Sequence, residues 1–305
     1  MDNNDKIAVK TNSLRAWVLA ARPKTLSGAA VPVVIGAALA WSDAKLYEGY
    51  PFSWVAAVLC LLFAWVMQID ANFVNDFFDF ARGADDRETR LGPERACAEG
   101  WVTLDAMKRA IALTTCLACA IGLPLIFWGG LEMVGVGLLC VIFCFLYTTW
   151  LSYHGMGDLL VLLFFGLIPV CCTYYVQLHT VTREVFVASL ACGLVIDCLL
   201  MVNNFRDRDN DRLNGKMTLV VRVGERCSLL IYLLNGLIAC IFGITFMQHG
   251  HTLAFILPGI YLILHIYTYL RIKRINHGRE LNACLAETSR NILLYGLLVA
   301  IGIVI

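Results

Sequence analysis

Two stretches of this chain gather side chains that could do chemistry together. The first runs Gln68, Asn72, Asn75, Asp76, Asp79, then Arg82, Gly83 and Asp85. The second holds Asn203, Asn204, Arg206, Asp207, Arg208 and Asp211, followed by Gly215, Lys216, Thr218 and Arg222. At about 100° per residue, Gln68, Asn72, Asn75, Asp76 and Asp79 share one narrow helical face. Asn203, Asp207 and Asp211 stand at i, i+4 and i+8, so they also line one stripe. Carboxylates and amides stacked in this way repel one another unless cations hold them. Hard oxygen donors in that number suit Mg²⁺, which is bound by one or two carboxylates together with substrate phosphates and keeps several waters. The surrounding Arg and Lys suit diphosphate oxygens. The chemistry implied is acid, metal, phosphate and base at one place.

The elements that must position these groups are membrane helices. The chain has 305 residues, 59% hydrophobic and only 15% charged, with 24 Lys+Arg against 23 Asp+Glu. A mean hydropathy of +0.72 argues against a soluble globular domain. Near-neutral charge argues against a nucleic-acid binder or a charged disordered tail. Spanning-length apolar stretches fall roughly at 26–41, 54–72, 106–128, 131–151, 159–176, 185–202, 229–247, 253–270 and 291–305, about nine helices in all. Residues 1–13 are polar and lack the apolar core of a secretory signal. No linker or compositional break divides the chain, so a single membrane domain over 1–305 is expected.

Positive residues give the topology. Of the 24 Lys and Arg, 22 fall in the N-terminal segment or in the connections after helices 2, 6 and 8; only Lys45 and Arg183 fall on the other side. The positive side is cytoplasmic, so the N-terminus and both acidic clusters are expected there, in a bacterial inner membrane, with the C-terminus external. Asn72 and Asn203 are 131 residues and four helices apart, each opening an Asn-x-x-x-Asp. This predicts an all-α bundle of two four-helix pseudo-repeats plus one helix around a central cavity. One such polar run after a membrane helix is an ordinary solvated turn. Two matched runs, in phase and on one membrane face, are not. A substrate with a diphosphate head and a lipid tail fits such a site.

The remaining reactive residues carry less. The 13 Cys are scattered through apolar runs, and Cys116 and Cys119 have no second pair at zinc-ligand spacing. His249 and His251 belong to a loop. Asp197, inside an apolar helix, is a candidate for supporting the second cluster or for a hydrogen-bonded packing role. Tyr147, Tyr153, Tyr174 and Tyr175 are candidates for stabilising a cation through their rings or for an interfacial belt.

These motifs resemble the paired Asp-rich motifs of the UbiA-type intramembrane prenyltransferases. Three further stretches agree: Ala21-Arg22-Pro23-Lys24-Thr25-Leu26, Gly92-Pro93-Glu94-Arg95, and Leu281-Asn282 with Leu285 and Thr288. The run from Asn203 through Arg222 is most similar to the branch of the family that prenylates 1,4-dihydroxy-2-naphthoate for menaquinone synthesis. Two positions differ: Gly157-Asp158 stands where Gly-Glu is usual, and Trp150 where Pro is common. Both bear on the aromatic acceptor pocket.

The resemblance implies transfer of a polyprenyl group from polyprenyl diphosphate to the naphthoate, with loss of CO₂ and formation of demethylmenaquinone. It implies Mg²⁺ held by Asp76, Asp79, Asp207 and Asp211, with Asn72 and Asn203 as neutral donors. Asp85 would hold a second metal or orient an arginine. Arg22, Lys24, Arg206 and Lys216 are the candidates for phosphate contacts. The alternatives are another aromatic acceptor (4-hydroxybenzoate, homogentisate or a chlorin) and, in a different class, a divalent-cation or small-molecule transporter. A transporter would place its ionisable residues at the membrane midplane in broken helices, whereas these cluster at one end.

Overall fold

The computed structural model describes residues 9–45, 51–83 and 90–305. Among the described residues it contains nine helices long and apolar enough to span a membrane. They are α1 (Leu14–Ala44), α2 (Trp54–Ala81), α3 (Leu104–Gly129), α4 (Glu132–Thr149), α5 (Gly157–Leu178), α6 (Arg183–Leu213), α7 (Glu225–Gln248), α8 (Thr252–Ile275) and α9 (Leu281–Val304). The predicted all-α, nine-span architecture is therefore present, and the protein is integral to a membrane.

Local signals explain where several helices start. Ser53, Thr103 and Thr182 accept hydrogen bonds from the backbone amides of Ala56, Ala106 and Val185, capping α2, α3 and α6. The expected ends were short at three helices. α2 continues to Ala81 and α6 to Leu213, so both acidic stretches are the last turns of helices, as their shared helical faces predict. α9 begins at Leu281, ten residues before the expected start, because the half-buried Asn282 and Glu287 find partners in Arg206 and Arg271, and the exposed Arg290 interrupts the apolar pattern without ending the helix.

The length of α2 and α6 sets the height of their polar groups. At 1.5 Å per residue, α2 and α6 reach about 42 and 46 Å against a hydrocarbon core of about 30 Å. By the same rise, Asp76 and Asp79 lie about 33 and 38 Å from the start of α2, and Asp207 and Asp211 about 36 and 42 Å from the start of α6. The two clusters thus stand at nearly one level, just beyond the lipid tails.

The main core joins α1, α5, α6 and α9, with Leu39, Val170, Tyr174, Val195 and Tyr295 among its buried residues. α5 and α6 cross closely: a β-carbon on Gly166 would stand 2.6 Å from the Ser189 carbonyl, and Gly193 is its counterpart on α6. Small residues at this crossing allow the backbone approach that membrane helices use for packing. α5 widens into a π-helical turn over Leu162–Leu167 beside it. Large apolar side chains such as Phe127, 86% exposed, face outward, as lipid contact requires.

Candidate active site

The site begins where α1 breaks. Arg22 adopts a left-handed conformation (φ 50°), and Pro23–Thr25 form a short 3₁₀ turn before the helix resumes. Asn72 holds that break: its Nδ2 donates to the Ala21 carbonyl and to Thr25 Oγ1, both at 3.0 Å. Gln68 Nε2 donates to Asn72 Oδ1 and to Thr25 Oγ1. Two polar residues of α2 therefore clamp the kink that carries Arg22 and Lys24 to the mouth.

Asp76 is fully buried, and both its oxygens are engaged. Oδ2 accepts from the Ala96 amide at 2.9 Å and Oδ1 from the Cys97 amide at 3.0 Å. Arg22 Nη2 stands 3.8 Å from Oδ2. Asp76 thus anchors the segment after α2 onto the bundle. That segment returns Arg95, whose Nη2 meets Asn75 Oδ1 at 3.2 Å and Asp79 Oδ2 at 3.4 Å. The charges of Lys216, Arg90, Arg22 and Arg82 also act on Asp79. Asp85 lies outside the described residues.

On α6, Arg206 is 2% exposed and turned inward. It donates to both oxygens of Asp207, to Asn203 Oδ1 at 2.8 Å and to Asn282 Oδ1 at 2.8 Å. Asn282 in turn donates to the Leu91 carbonyl. Gly92 packs against the guanidinium so closely that a β-carbon there would sit 2.6 Å from Nη2. Arg206 therefore ties α6, α9 and the segment after α2 together. Asp211 Oδ1 lies 3.8 Å from Lys216 Nζ, while its Oδ2 is buried without a hydrogen-bond partner.

Lys216 is where the two clusters meet. Burial pushes its pKa down, but the carboxylates of Asp211, Asp79 and Asp207 more than reverse that, leaving it above the ordinary lysine value. The Tyr153 ring stands beside it, 6.0 Å from Lys216 Nζ and 5.3 Å from the Arg82 guanidinium. The Tyr153 carbonyl accepts from the Met217 amide and the His154 carbonyl from Arg222, pinning the segment between α4 and α5 across the mouth. Tyr153 and Tyr147 are thus at the site. Tyr174, bonded to Asp43 at 2.6 Å, and Tyr175, beside His179, lie at the opposite end of the bundle. Asp197 is buried on α6 and accepts from Asn235 Nδ2 at 2.9 Å.

Below this polar mouth opens a cavity of about 2010 Å³. Arg22, Lys24, Asn72, Asn203, Arg279 and Arg290 line its polar end, whereas Phe63, Ile126, Phe143, Phe164 and Val176 line its depth. From Asn75 down to Cys60 along α2 it extends about 22 Å by helical rise. Asp76, Asp79, Arg206, Asp207, Asp211 and Lys216 stand behind this wall rather than in it. Among the described residues no three His, Cys, Asp or Glu converge as a ready-made metal cage. The donors nevertheless fit an ion shared with a phosphate, because Asp211 keeps a buried oxygen without a donor and Asp79 faces the same lysine.

Sequence reasoning passed over Arg95, Asn282 and Arg279 as site residues. The first two lay in stretches whose spacing matched the family, but nothing in their own residue types marked them for the mouth.

The fold and site together define a helical membrane protein with a deep apolar cavity under a mouth lined by amides and cations. Comparison with known proteins agrees: residues 29–293 match the UbiA prenyltransferase family, and the chain belongs to it. It is 38% identical over 220 residues to the 1,4-dihydroxy-2-naphthoate octaprenyltransferase of Escherichia coli (strain K12), covering 69% of each chain. It is 32% identical over 292 residues to the protein of that name from Mycobacterium tuberculosis, covering 94% of this chain and 96% of the other. Its fold is similar to that of a UbiA homolog from Aeropyrum pernix K1, with a TM-score of 0.70 at 15% identity over 93% of this chain and 98% of that one. A UbiA homolog from Archaeoglobus fulgidus solved with DMAPP and Mg²⁺ aligns with a TM-score of 0.63 at 13% identity, over 93% of this chain and 99% of that one.

Proposed function

We propose that the chain transfers a polyprenyl group from polyprenyl diphosphate to 1,4-dihydroxy-2-naphthoate, with loss of CO₂, giving diphosphate and demethylmenaquinol, the reduced form that oxidation elsewhere converts to demethylmenaquinone. The observation that carries this reading is the continuity of one apolar cavity with a mouth lined by Arg22, Lys24, Asn72 and Asn203. The names of the relatives support the acceptor, and the Archaeoglobus fulgidus complex supports a prenyl diphosphate with Mg²⁺.

The diphosphate head lies at the mouth and the tail runs down the cavity between Phe63, Phe143 and Phe164. Arg22 and Lys24, presented by the break in α1, hold phosphate oxygens, and Lys216 approaches them from the other side. Asp79 and Asp211 are the carboxylates for the ion; Asp207 and Asp85 complete the acidic set, and Asn72 and Asn203 are its neutral donors. These residues would hold Mg²⁺, which would supply charge stabilisation to a leaving diphosphate. Asp76 fixes the segment bearing Arg95, and Arg206 fixes the geometry of Asn203 and Asp207. The apolar walls exclude water from the allylic cation. The ring carbon bearing the carboxylate then forms the new C–C bond, and loss of CO₂ returns the electron pair to the ring.

With 22 of the 24 positive residues on the motif-bearing side, that mouth faces the cytoplasm of a bacterial inner membrane and the C-terminus is external. The test is to incubate the purified protein with Mg²⁺, a polyprenyl diphosphate and each candidate aromatic acid, and to identify products by mass spectrometry. Prenylated naphthoate that has lost CO₂ is expected. A product formed only with 4-hydroxybenzoate or homogentisate would move the acceptor, and no product with any acceptor would overturn the enzyme reading.

A further inference from the structure

Beside the main cavity, the segment between α4 and α5 encloses a second and far smaller space. Its walls include Tyr147, Ser152, Asp158, Asn204, Lys216 and Thr218, and its volume is about 10 Å³. That is room for roughly one water molecule or one hydroxyl group. Tyr147 borders both spaces. Leu200, which lines the main cavity, would stand 3.3 Å from a β-carbon on Gly157, so the partition at Gly157 is only a backbone thick.

Asp158 lies in this wall, 9% exposed, and neither of its carboxylate oxygens has a hydrogen-bond partner beyond its own residue. Among the described residues it is the buried acid with both oxygens vacant. Buried carboxylates are ordinarily hydrogen-bonded, and a vacant one in a formed pocket needs an explanation. Its neighbours do not supply one. Lys216 is 3.8 Å from Asp211 and makes no ion pair with Asp158. Asp197, on which the charge of Asp158 acts, is held by Asn235 through Oδ2 and keeps Oδ1 vacant. What fits between Tyr147, Asp158 and Asn204 is a small donor arriving from the main cavity.

We propose that Asp158 is a catalytic residue for the acceptor half of the reaction: it receives the ring hydroxyl of the aromatic substrate. This rests on the prenyl-transfer reading above. The aromatic ring lies in the main cavity against Tyr147 and Leu200, and one hydroxyl enters the small pocket. As the ring carbon bonds to the allylic carbon, the diphosphate leaves with the C–O electron pair and the hydroxyl passes its proton to an Asp158 oxygen. Loss of CO₂ returns an electron pair to the ring, and Asp158 returns the proton to the same oxygen. The step balances without a co-reactant. Hydrogen bonding to the carboxylate makes the ring a better nucleophile at the moment the cation forms.

The experiment combines substrate and protein changes in the detergent-purified full chain. Wild type is assayed with the naphthoate and with its mono-O-methyl ethers, and Asp158→Asn and Asp158→Glu are assayed alongside. For Asp158→Asn, kcat/KM for the acceptor should fall by roughly 100-fold, within the usual range for a positioned base. KM for polyprenyl diphosphate and the Mg²⁺ requirement should not change. Asp158→Glu, which keeps the carboxylate but adds a methylene to a pocket with room for about one hydroxyl, should recover only part of the loss. Wild type should discriminate against one methyl ether, because the pocket has no room for the added methyl, and Asp158→Asn should not distinguish that ether from the free hydroxyl. Wild-type acceptor kinetics in Asp158→Asn, equal use of every ether by wild type, or a matching loss of diphosphate affinity would each overturn the proposal. Absence of transfer by wild type would refute the prenyl-transfer reading itself. The ether comparison needs no variant, so it decides the matter even where Asp158→Asn fails to fold.

Discussion

Replacing Asp76 separates two jobs that an acidic motif can do. As a ligand, Asp76 would set the Mg²⁺ requirement; as placed, it receives the Ala96 and Cys97 amides with no exposure to solvent. A hydrogen bond to a charged group contributes about 1.5–3 kcal/mol. Asp76→Ala removes two and leaves two buried amides unpaired, so the segment after α2 should lose about 3–6 kcal/mol. Asp76→Asn keeps one acceptor but turns a donor toward the other amide, for a loss of about 2–3 kcal/mol. Thermal unfolding in detergent and hydrogen exchange at the Ala96 and Cys97 amides measure this directly. Both variants should unfold earlier and exchange these amides faster, in the order Ala before Asn. Activity should fall with the segment's order, because Arg95 and its contact to Asp79 go with it. In the Asn variant the Mg²⁺ concentration for half-maximal activity should stay within about threefold of wild type. Wild-type thermal stability together with a tenfold or greater rise in that concentration would refute the anchoring argument and make Asp76 a ligand.

Two further outcomes follow from neighbouring residues. Arg206→Lys keeps the charge but cannot reach Asn203, Asp207 and Asn282 at once; we expect a loss of about 2–4 kcal/mol in thermal unfolding and weaker prenyl-diphosphate binding. Wild-type values for both would show that Arg206 organises nothing. Lys216→Met should raise KM for polyprenyl diphosphate at least tenfold. Because the folded pKa of Lys216 is raised, its contribution is fully present below the unfolded lysine value and is lost only as pH climbs through the higher folded one. Diphosphate affinity should therefore show no lysine titration between pH 7 and 10, and a decline centred in that window would contradict the placement of Lys216 between Asp211 and Asp79.

The helices were legible because a membrane imposes a simple rule: every backbone polar group must be satisfied within its own helix, so long apolar runs are helical. The faces of the two motifs were legible for the same reason, since helical periodicity continues beyond the lipid into Asp79 and Asp211. What periodicity cannot report is which partner takes each acid. The amides of Ala96 and Cys97 carry no side-chain signature, yet they decide what Asp76 does. Arg206 reads in one dimension as a phosphate ligand, but its own turn offers Asn203 and Asp207, and α9 offers Asn282. Asp158 stood out in the sequence only as a departure from the usual Gly-Glu. Its significance lies in two vacant oxygens, which only packing reveals.

The two motifs repeat in a way that assigns their acids unequally. Each opens with an asparagine, and in each the acid four residues later is closely held: Asp76 by two amides, Asp207 by the Arg206 guanidinium. The next acid on each stripe is held more loosely. Asp79 meets Arg95 at 3.4 Å and Asp211 meets Lys216 at 3.8 Å, and both act on the same lysine. Four equivalent carboxylates around one ion would repel one another and leave an octahedral Mg²⁺ only two positions for substrate and water. One closely held and one loosely held acid per motif lessens this: Asp211 keeps a buried oxygen without a hydrogen-bond partner, and Asp79 and Asp211 both act on Lys216. Mg²⁺ bound by one or two carboxylates still has positions for phosphate oxygens and water. The duplication therefore does more than double a ligand set. On the proposed reading, each motif carries one acid held by its own neighbours and one left for the ion, and the latter two both act on Lys216.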